Sequence, residues 1–262
     1  MSFAAIAERY HPGASLLHRA DARVKLPAAI AYILAVTLTP VGGWPTMALM
    51  ALPVVLGLIA AHLPVMLVLR RTALALPFVL AAFPLLFTRE GEELFALPLV
   101  GWDASREGLE ALTTILAKSW ISVTAAVILT ASTPATELVR AMRSMGLPRL
   151  LVGTISFMYR YIFVIGEEAW RLLRARDARS ASRDGLRSGG SIPWRGRVAG
   201  NMVGSLFLRS YERSERVYAA MQARGYDGET RFMSTPVFPV HQAIVAGLIL
   251  AYAFGVQVYA HL

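Results

Sequence analysis

Residues 165–227 read IGEEAWRLLRARDARSASRDGLRSGGSIPWRGRVAGNMVGSLFLRSYERSERVYAAMQARGYD. Two arginine-rich helical patterns in this stretch end in similar tripeptides, Ala178-Arg179-Ser180 and Ala223-Arg224-Gly225. A Gly/Ser-rich linker, 181–196, joins the two patterns. The sequence on both sides of the stretch is apolar enough for lipid. We therefore expect the apolar part of the chain to hold this basic helical pair against a soluble partner.

The composition favours an integral membrane protein. Of the 262 residues, 56% are hydrophobic and only 16% are charged, whereas a soluble domain has about 25% charged residues. The absence of cysteine from the sequence excludes disulfides and thiolate chemistry. A net charge of +9 could suggest nucleic acid, but the charge is unevenly spread, which fits a membrane protein better. We expect no nucleic-acid partner. Glu8 and His11 interrupt the N-terminal segment, so it does not have the pattern of a secretory signal.

Five apolar stretches are predicted to span a bilayer, and the fold class is predicted to be an all-α integral membrane protein. The spans are Leu26–Val41, Thr46–Leu69, Thr72–Phe87, Gly108–Ala131 and Pro236–Ala260. The first is short, since a crossing helix needs about 20 apolar residues. Pro53 and Pro64 are predicted to kink the second. The domains are predicted as four spans in 1–131, coupling helices in 132–236 and one span in 237–262.

The distribution of Lys and Arg predicts the orientation. Four of these residues precede the first span, and 132–236 contains seventeen arginines. The segment after the third span has only two arginines among five acidic residues. We therefore expect an inner-membrane, multi-pass protein with a cytoplasmic N-terminus and a cytoplasmic 132–236.

The apolar run 150–165, LLVGTISFMYRYIFVI, looks like a further span. A crossing there would place most of the arginines on the opposite side of the membrane. Arg160 also lies in the middle of the run, where a charge facing lipid is costly. We therefore predict an interfacial or protein-covered helix on the cytoplasmic side.

Three helices are predicted in the cytoplasmic region: Pro134–Met145, Arg149–Arg179 and Val198–Arg224. Thr133 is predicted as the N-cap of the first, with Pro134 at its first position. The first helix carries an apolar face at helical spacing, formed by Leu138, Val139, Met142 and Met145. The third carries a seam formed by Val203, Phe207, Tyr211, Ser214, Tyr218 and Met221.

Each arginine tripeptide has two interpretations. Arg179 and Arg224 fall in last turns, where free carbonyls favour a cation, and Gly225 suits a left-handed cap. Ordinary helix termination explains either tripeptide alone. The alternative is that two guanidinium groups at helix tips bind carboxylates or carbonyls of another protein. The repetition of the tripeptide on a cytoplasmic projection favours the second interpretation.

Four pieces of the sequence match motifs of a known family. They are 17–26 (LHRADARVKL), 133–138 (TPATEL), 159–168 (YRYIFVIGEE) and 208–226 (LRSYERSERVYAAMQARGY). The chain resembles the T component, the transmembrane coupling subunit, of energy-coupling-factor (ECF) importers for vitamins and metals, and within them the cobalt-type, CbiQ-like members. Ser180 is a mild departure, since Gly is also common at that position.

The resemblance implies a non-catalytic subunit of an ABC-type importer for cobalt or nickel, with no cofactor of its own. Its implied partners are two ATP-binding cassette ATPases, a membrane-embedded S component that binds the substrate, a small accessory membrane subunit as a further candidate, and the lipid bilayer. The ATPase-coupling residues it implies are Ala178, Arg179, Ser180, Ala223, Arg224 and Gly225. The platform candidates for the S component are Leu138, Met142, Phe157, Tyr161, Phe207 and Tyr211.

The alternative functions are a stand-alone permease and an intramembrane hydrolase. Glu167-Glu168-x-x-Arg171 resembles a protease motif but is one residue short, and a salt-bridged helix surface explains it better. The five histidines are scattered, so a metal site is not expected, and no phosphate-binding Gly-x-x-x-x-Gly-Lys motif occurs. Lys118 lies within the fourth span and is either functional, snorkelling, or paired with Asp103 or Glu107. The sequence does not choose between cobalt and nickel.

Overall fold

The computed structural model describes residues 10–73, 77, 81–88, 93–97, 102–179, 191–228 and 240–261. The chain divides into two compact units. The first unit contains Tyr10–Met145 and Pro236–Leu262, and the second contains Gly146–Thr235 together with Met1–Arg9. This division groups residues 135–145 with the first unit, whereas the sequence-based division assigns them to the coupling region.

The first unit is mainly helical. Its helices are α1 (Leu16–Arg19), α2 (Ala22–Leu38), α3 (Trp44–Ala61), α4 (Val65–Thr72), α5 (Leu85–Thr88), α6 (Arg106–Ser132), α7 (Ala135–Ser144) and α10 (Val240–His261). Two short strands, β1 (Glu93–Leu97) and β2 (Trp102–Ser105), form an antiparallel pair between α5 and α6. The sequence analysis did not predict this hairpin.

Side chains begin two of these helices. The carboxylate of Asp21 accepts a hydrogen bond from the amide of Arg23 at 2.8 Å, which caps α2. The hydroxyl of Ser105 accepts from the amide of Gly108 at 3.0 Å, which caps α6. A left-handed Gly42 (φ +84°) lies in the turn between α2 and α3.

The core of the first unit lies among α2, α3, α6 and α10. Val36 and Met50 are fully buried, and the hydroxyl of Tyr32 donates to the carbonyl of Met50. Apolar residues of the other two helices complete this core. They include Ile121, Ile128, Ala131, Ala253 and Val256.

The predicted second span, Thr46–Leu69, is wrong as a continuous helix. Helix α3 ends at Ala61, His62 adopts a left-handed conformation (φ 51°), and α4 begins only after Pro64. Proline lacks an amide hydrogen and disfavours helical geometry at the preceding residue, so Pro64 ends the helix instead of kinking it.

Two further predictions about this unit need correction. The predicted third span, Thr72–Phe87, falls partly outside the described residues. Thr72 ends α4, and a turn at Phe83-Pro84 precedes α5.

Thr133 is not the N-cap of α7. Pro134 takes that position, because its carbonyl accepts the first helical hydrogen bonds. The predicted end of this helix at Met145 is confirmed to within one residue, since α7 ends at Ser144, Met145 is its C-cap and Gly146 has φ +88°.

The described part of the second unit contains two long helices, α8 (Arg149–Arg179, 31 residues) and α9 (Ile192–Ala223, 32 residues). The sequence predicts the bounds of α8 correctly. Helix α9 begins six residues before the predicted Val198, because Pro193 is well placed in its first turn. Residues 192–196 of the predicted linker are therefore helical, and 180–190 lie outside the described residues.

The all-α membrane class is confirmed. Among the described residues, four helices are long and apolar enough to cross a bilayer: α3, α6, α8 and α10. This set includes α8, which the charge argument predicts not to cross. It omits α2, which has 17 residues. The count of five spans stays a prediction.

Candidate coupling site

The C-terminal tip of α9 is a closed helix cap. The amide of Tyr226 donates to the carbonyl of Met221 at 3.0 Å, and the amide of Gly225 donates to the carbonyl of Gln222 at 2.9 Å. Gly225 has φ +79°, which confirms its predicted left-handed conformation. This pair of bonds is a Schellman motif, which satisfies the last carbonyls of the helix. The side chain of Arg224 is therefore not needed to close the helix, and it is exposed.

The tip of α8 presents a second arginine. Arg179 is the last residue of α8, and both Ala178 and Arg179 are exposed. A neighbouring ion pair, Arg176 with Asp177 at 2.7 Å, occupies the same turn. Ser180, the third predicted residue here, lies outside the described residues.

One carboxylate joins α8 and α9. Oε1 of Glu168 on α8 accepts a hydrogen bond from Nη1 of Arg209 on α9 at 3.1 Å. Its other oxygen, Oε2, pairs with Nη2 of Arg171 at 2.9 Å. The Glu168 side chain is only 18% exposed, so this ion pair is partly shielded from water. Glu168 and Arg171 therefore belong to a salt bridge that joins two helices. This arrangement does not support the protease-like interpretation of the segment.

Both arginine tips lie well beyond this junction. Arg179 follows Glu168 by eleven residues, and Arg224 follows Arg209 by fifteen, which corresponds to about 16 Å and about 22 Å of helix at 1.5 Å per residue.

The predicted seam of α9 is an exposed apolar face. Phe207 and Tyr211 are 67% and 55% exposed, and Val203 and Tyr218 on the same seam are exposed as well. No described residue of α9 is buried. An apolar row of this length on one helix is typical of a surface that binds a protein or a membrane.

The predicted platform residues of α8 are less accessible than their neighbours. Phe157 and Tyr161 are half-buried, whereas Met158 and Ile162, one position further along, are 62% and 54% exposed. Sequence analysis missed this second pair. Met158 and Ile162 lie four residues apart and therefore on one face of the helix, and this spacing could have identified the pair from the sequence.

Leu138 and Met142, the remaining platform candidates, lie on α7 in the first unit. Both are half-buried and pack against Ala22, Leu26 and Ala141. Their packing against the start of α2 occupies part of the face that was predicted for a partner.

The N-terminal motif, residues 18–26 (HRADARVKL), connects several helices of the first unit. The amide of Asp21 donates to the side-chain oxygen of Gln242 on α10 at 2.7 Å. The ammonium of Lys25 donates to the carbonyl of Leu17 at 3.0 Å and to that of Ser132, at the end of α6, at 3.5 Å. This motif therefore fixes the ends of α1 and α6 and the beginning of α10 around the start of α2.

Burial sets the protonation of Lys25, which precedes the predicted first span. Loss of water contact lowers its pKa to about 8, and the negative charges of Glu137 and Asp21 partly oppose that shift.

Lys118 does not pair with Glu107. Its ammonium donates to the carbonyl of Thr37 at 3.0 Å and to the carbonyl of Thr39. The side chain of Gln257 on α10 donates to the carbonyl of Ala35. Lys118 and Gln257 together thus satisfy carbonyls at the C-terminal end of α2, where a helix leaves them without partners. The side chain of Asp103 lies outside the description.

Within the described residues, no three His, Asp or Glu side chains come together as a metal site.

The sequence of the chain matches one family over most of its length. Residues 13–234 match the CbiQ family, which is described as cobalt transport protein. The chain belongs to the CbiQ family. The matched range contains the N-terminal motif, both long helices and both arginine tips, so the features described above lie within the family region. A transport family and four apolar helices make this a membrane protein.

Individual relatives support membership of the CbiQ family. The energy-coupling factor transporter transmembrane protein EcfT of Exiguobacterium sibiricum is 27% identical, over 95% of this chain and 99% of the relative. The cobalt transport protein CbiQ of Rhodobacter capsulatus is 30% identical, over 47% of this chain and 46% of the relative. The nickel permease LarQ of Lactiplantibacillus plantarum is 28% identical, over 37% of this chain and 33% of the relative.

Proposed function

We propose that this chain is the transmembrane coupling subunit, or T component, of an ECF-type importer for cobalt or nickel. It transmits motion from two ATP-hydrolysing ATPases to a membrane-embedded S component that binds the metal. Membership of the CbiQ family and the names of the three relatives support this function. In this role the chain is not an enzyme, because the ATPases hydrolyse ATP.

The observation that carries the proposal is the exposed Arg224 at the end of a 32-residue helix. The Schellman cap already closes this helix, so the guanidinium remains available to a partner. A guanidinium can form two parallel hydrogen bonds with a carboxylate. We assign Ala223, Arg224 and Gly225 to contact with one ATPase.

The tip of α8 contacts the second ATPase through Ala178, Arg179 and Ser180. The exposed position of Arg179 at the end of α8 supports this assignment. Two similar tips suit two similar ATPases. When ATP binding brings the ATPases together, the tips approach each other, and the junction of Glu168 with Arg209 and Arg171 conveys this movement between the helices.

The exposed apolar faces are the platform for the S component. Phe207 and Tyr211 on α9 are fully available for such contact, and Phe157 and Tyr161 on α8 are partly available. Leu138 and Met142 pack on one side against the start of α2, and their exposed side contacts the partner. A small accessory membrane subunit is a further candidate partner of the same complex.

The excess of arginine in 132–236 supports a cytoplasmic coupling region and a cytoplasmic N-terminus in the cell inner membrane. This orientation places both arginine tips on the side of the membrane where ATP is available. The boundaries 1–131, 132–236 and 237–262 describe the proposed functional division.

Co-expression with the ATPases and the S component tests the proposal. In the variant that carries both Arg179→Ala and Arg224→Ala, we expect loss of ATPase copurification and of ATP-dependent metal uptake. Arg216→Ala is the matched control, because Arg216 is exposed on α9 and forms only a 3.8 Å pair with Glu212. An intact complex with normal uptake in the double variant would contradict the assignment. Metal uptake by the purified chain alone would instead support a permease.

A further inference from the structure

A cleft of about 570 Å³ lies entirely within the first unit, among α2, α3, α6 and α10. Three of these four helices are long and apolar enough to cross a bilayer. The volume falls within the range of about 300–1,000 Å³ that is typical of ligand-binding clefts. The coupling function assigns no role to this cleft.

The lining of the cleft changes from polar to apolar along the helix axes. Arg19, Lys25, His241 and Gln242 lie at the end where α10 begins. The opposite end is formed by apolar groups such as Pro53 and Ile249, and Gly57 lies between the two ends. His241 and Ile249 are separated by eight residues of α10, which corresponds to about 12 Å.

The polar end carries two cationic side chains, and the negative charges of Asp21 and Glu137 act on one of them, Lys25. Arg19 and Lys25 contribute cations, His241 can donate a hydrogen bond, and no Asp or Glu is among the described residues that line the cleft. Arg19 and His241 are exposed, so both can reach a group at the mouth. A guanidinium is well suited to a phosphate, to which it can form two hydrogen bonds.

We propose that this cleft binds an anionic phospholipid, with one acyl chain among α2, α3, α6 and α10 and the phosphate at Arg19 and His241. A hydrocarbon chain suits the apolar end, because it needs no hydrogen-bond partner there. The anionic headgroup complements the charge of the mouth. Such a lipid binds to the resting transporter subunit as a structural ligand and does not take part in metal recognition.

The binding test uses native mass spectrometry of the full chain after reconstitution. The probes are vesicles of pure phosphatidylcholine and vesicles that contain 30% phosphatidylglycerol, on the order of the anionic lipid content that gives a membrane a negative surface potential. We expect the chain to retain phosphatidylglycerol at least fivefold better than phosphatidylcholine. Arg19→Gln is expected to remove this preference without altering the apolar part of the cleft.

A second variant tests the acyl-chain position. A Cβ at Gly57 would lie 3.7 Å from Cδ1 of Ile128, an ordinary contact, so the larger side chain of Gly57→Leu extends into the cleft. We expect this variant to lose bound lipid. Gly247→Leu is the matched control, because Gly247 lies on α10 outside the lining and has nothing within 4 Å of its Cβ.

Four results would overturn the proposal. The first three are equal retention of the two lipids, unchanged retention in Gly57→Leu, and a helix of a partner protein seated in the cleft of the assembled complex. Loss of lipid in Gly247→Leu to the same degree as in Gly57→Leu would also overturn it, because the lipid would then be part of a general annulus.

Discussion

The ammonium of Lys118, near the middle of α6, lies 3.0 Å from the carbonyl oxygen of Thr37 near the end of α2. It also donates to the carbonyl of Thr39. The last carbonyls of a helix carry the negative end of its dipole, so a cation there is favourable. The charge of Lys118 would be costly against lipid. It lies instead at the C-terminal end of α2, where it donates to free carbonyls.

Replacement of Lys118 by Met should leave the carbonyls of Thr37 and Thr39 without this donor. Thr39 is buried, and a buried carbonyl that loses its partner costs about 1–3 kcal/mol, so we expect a lower temperature of thermal unfolding in detergent. Lys118→Arg is the control, since it keeps a donor of the same charge. Equal unfolding temperatures for Lys118→Met and the wild type would contradict the capping role.

The junction of α8 and α9 makes a separate prediction. Glu168→Ala removes the acceptor shared by Arg171 and Arg209. We expect the ATPases to stay bound while metal uptake per ATP hydrolysed falls several-fold, because a movement of one helix is then no longer transmitted to the other. Glu212→Ala, which breaks only the exposed pair with Arg216, should leave this ratio unchanged. A normal ratio in Glu168→Ala would show that the junction carries no motion.

Gly225→Ala tests the cap of α9. A Cβ at Gly225 meets nothing within 4 Å, so the cost comes only from the left-handed backbone (φ +79°) and is about 1–2 kcal/mol. We expect this strain to open the cap and to weaken ATPase binding in a pull-down. Gly228→Ala is the matched control, because Gly228 has φ +88° and equally open surroundings. Equal ATPase binding by the two variants would contradict a specific role for the cap.

The exposed α9 face predicts an effect on function without an effect on stability. Because Phe207 and Tyr211 are mostly exposed, their joint replacement by Ala should shift the unfolding temperature little. Copurification of the S component should decrease. Phe254→Ala is the control, since Phe254 is 70% exposed on α10. If the S component copurifies normally with the double variant, the platform lies elsewhere.

Lys25 predicts a dependence of stability on pH. Its folded pKa of about 8 lies below the ordinary value of 10.5, so between these values the folded state binds fewer protons than the unfolded state. Stability therefore rises with pH across this window. Thermal unfolding in detergent at pH 7.5 and 9.5 measures the rise, and Lys25→Met should reduce it. An unchanged rise in that variant would exclude Lys25 as its source.

The sequence predicts helices well where one local signal acts alone. The bounds of α8 follow from Pro148 before it and the basic last turn at Arg179. The left-handed Gly146 and Gly225 follow from the turn residue itself. The break at Pro64 was underestimated, because hydropathy continues across it while the backbone does not.

The residues of the candidate site are predicted less completely. The seam of Phe207 and Tyr211 follows from helical spacing alone, but the exposure of Met158 depends on which side of α8 meets other groups. The pairing of Glu168 with Arg209 joins residues 41 positions apart, and the contact of Lys118 with Thr37 joins residues 81 positions apart. No local pattern identifies such partners, because tertiary packing selects them.

Both lysines of the chain, Lys25 and Lys118, donate to backbone carbonyls in the first unit. Every cation in 132–236 is an arginine, and a guanidinium keeps its charge at any physiological pH. The positive charge of this segment therefore cannot be removed by lysine acetylation or by a physiological change in pH. Amine-reactive cross-linkers should likewise fail to label these helices, so chemical mapping of their partners requires reagents directed at carboxylates or guanidinium groups.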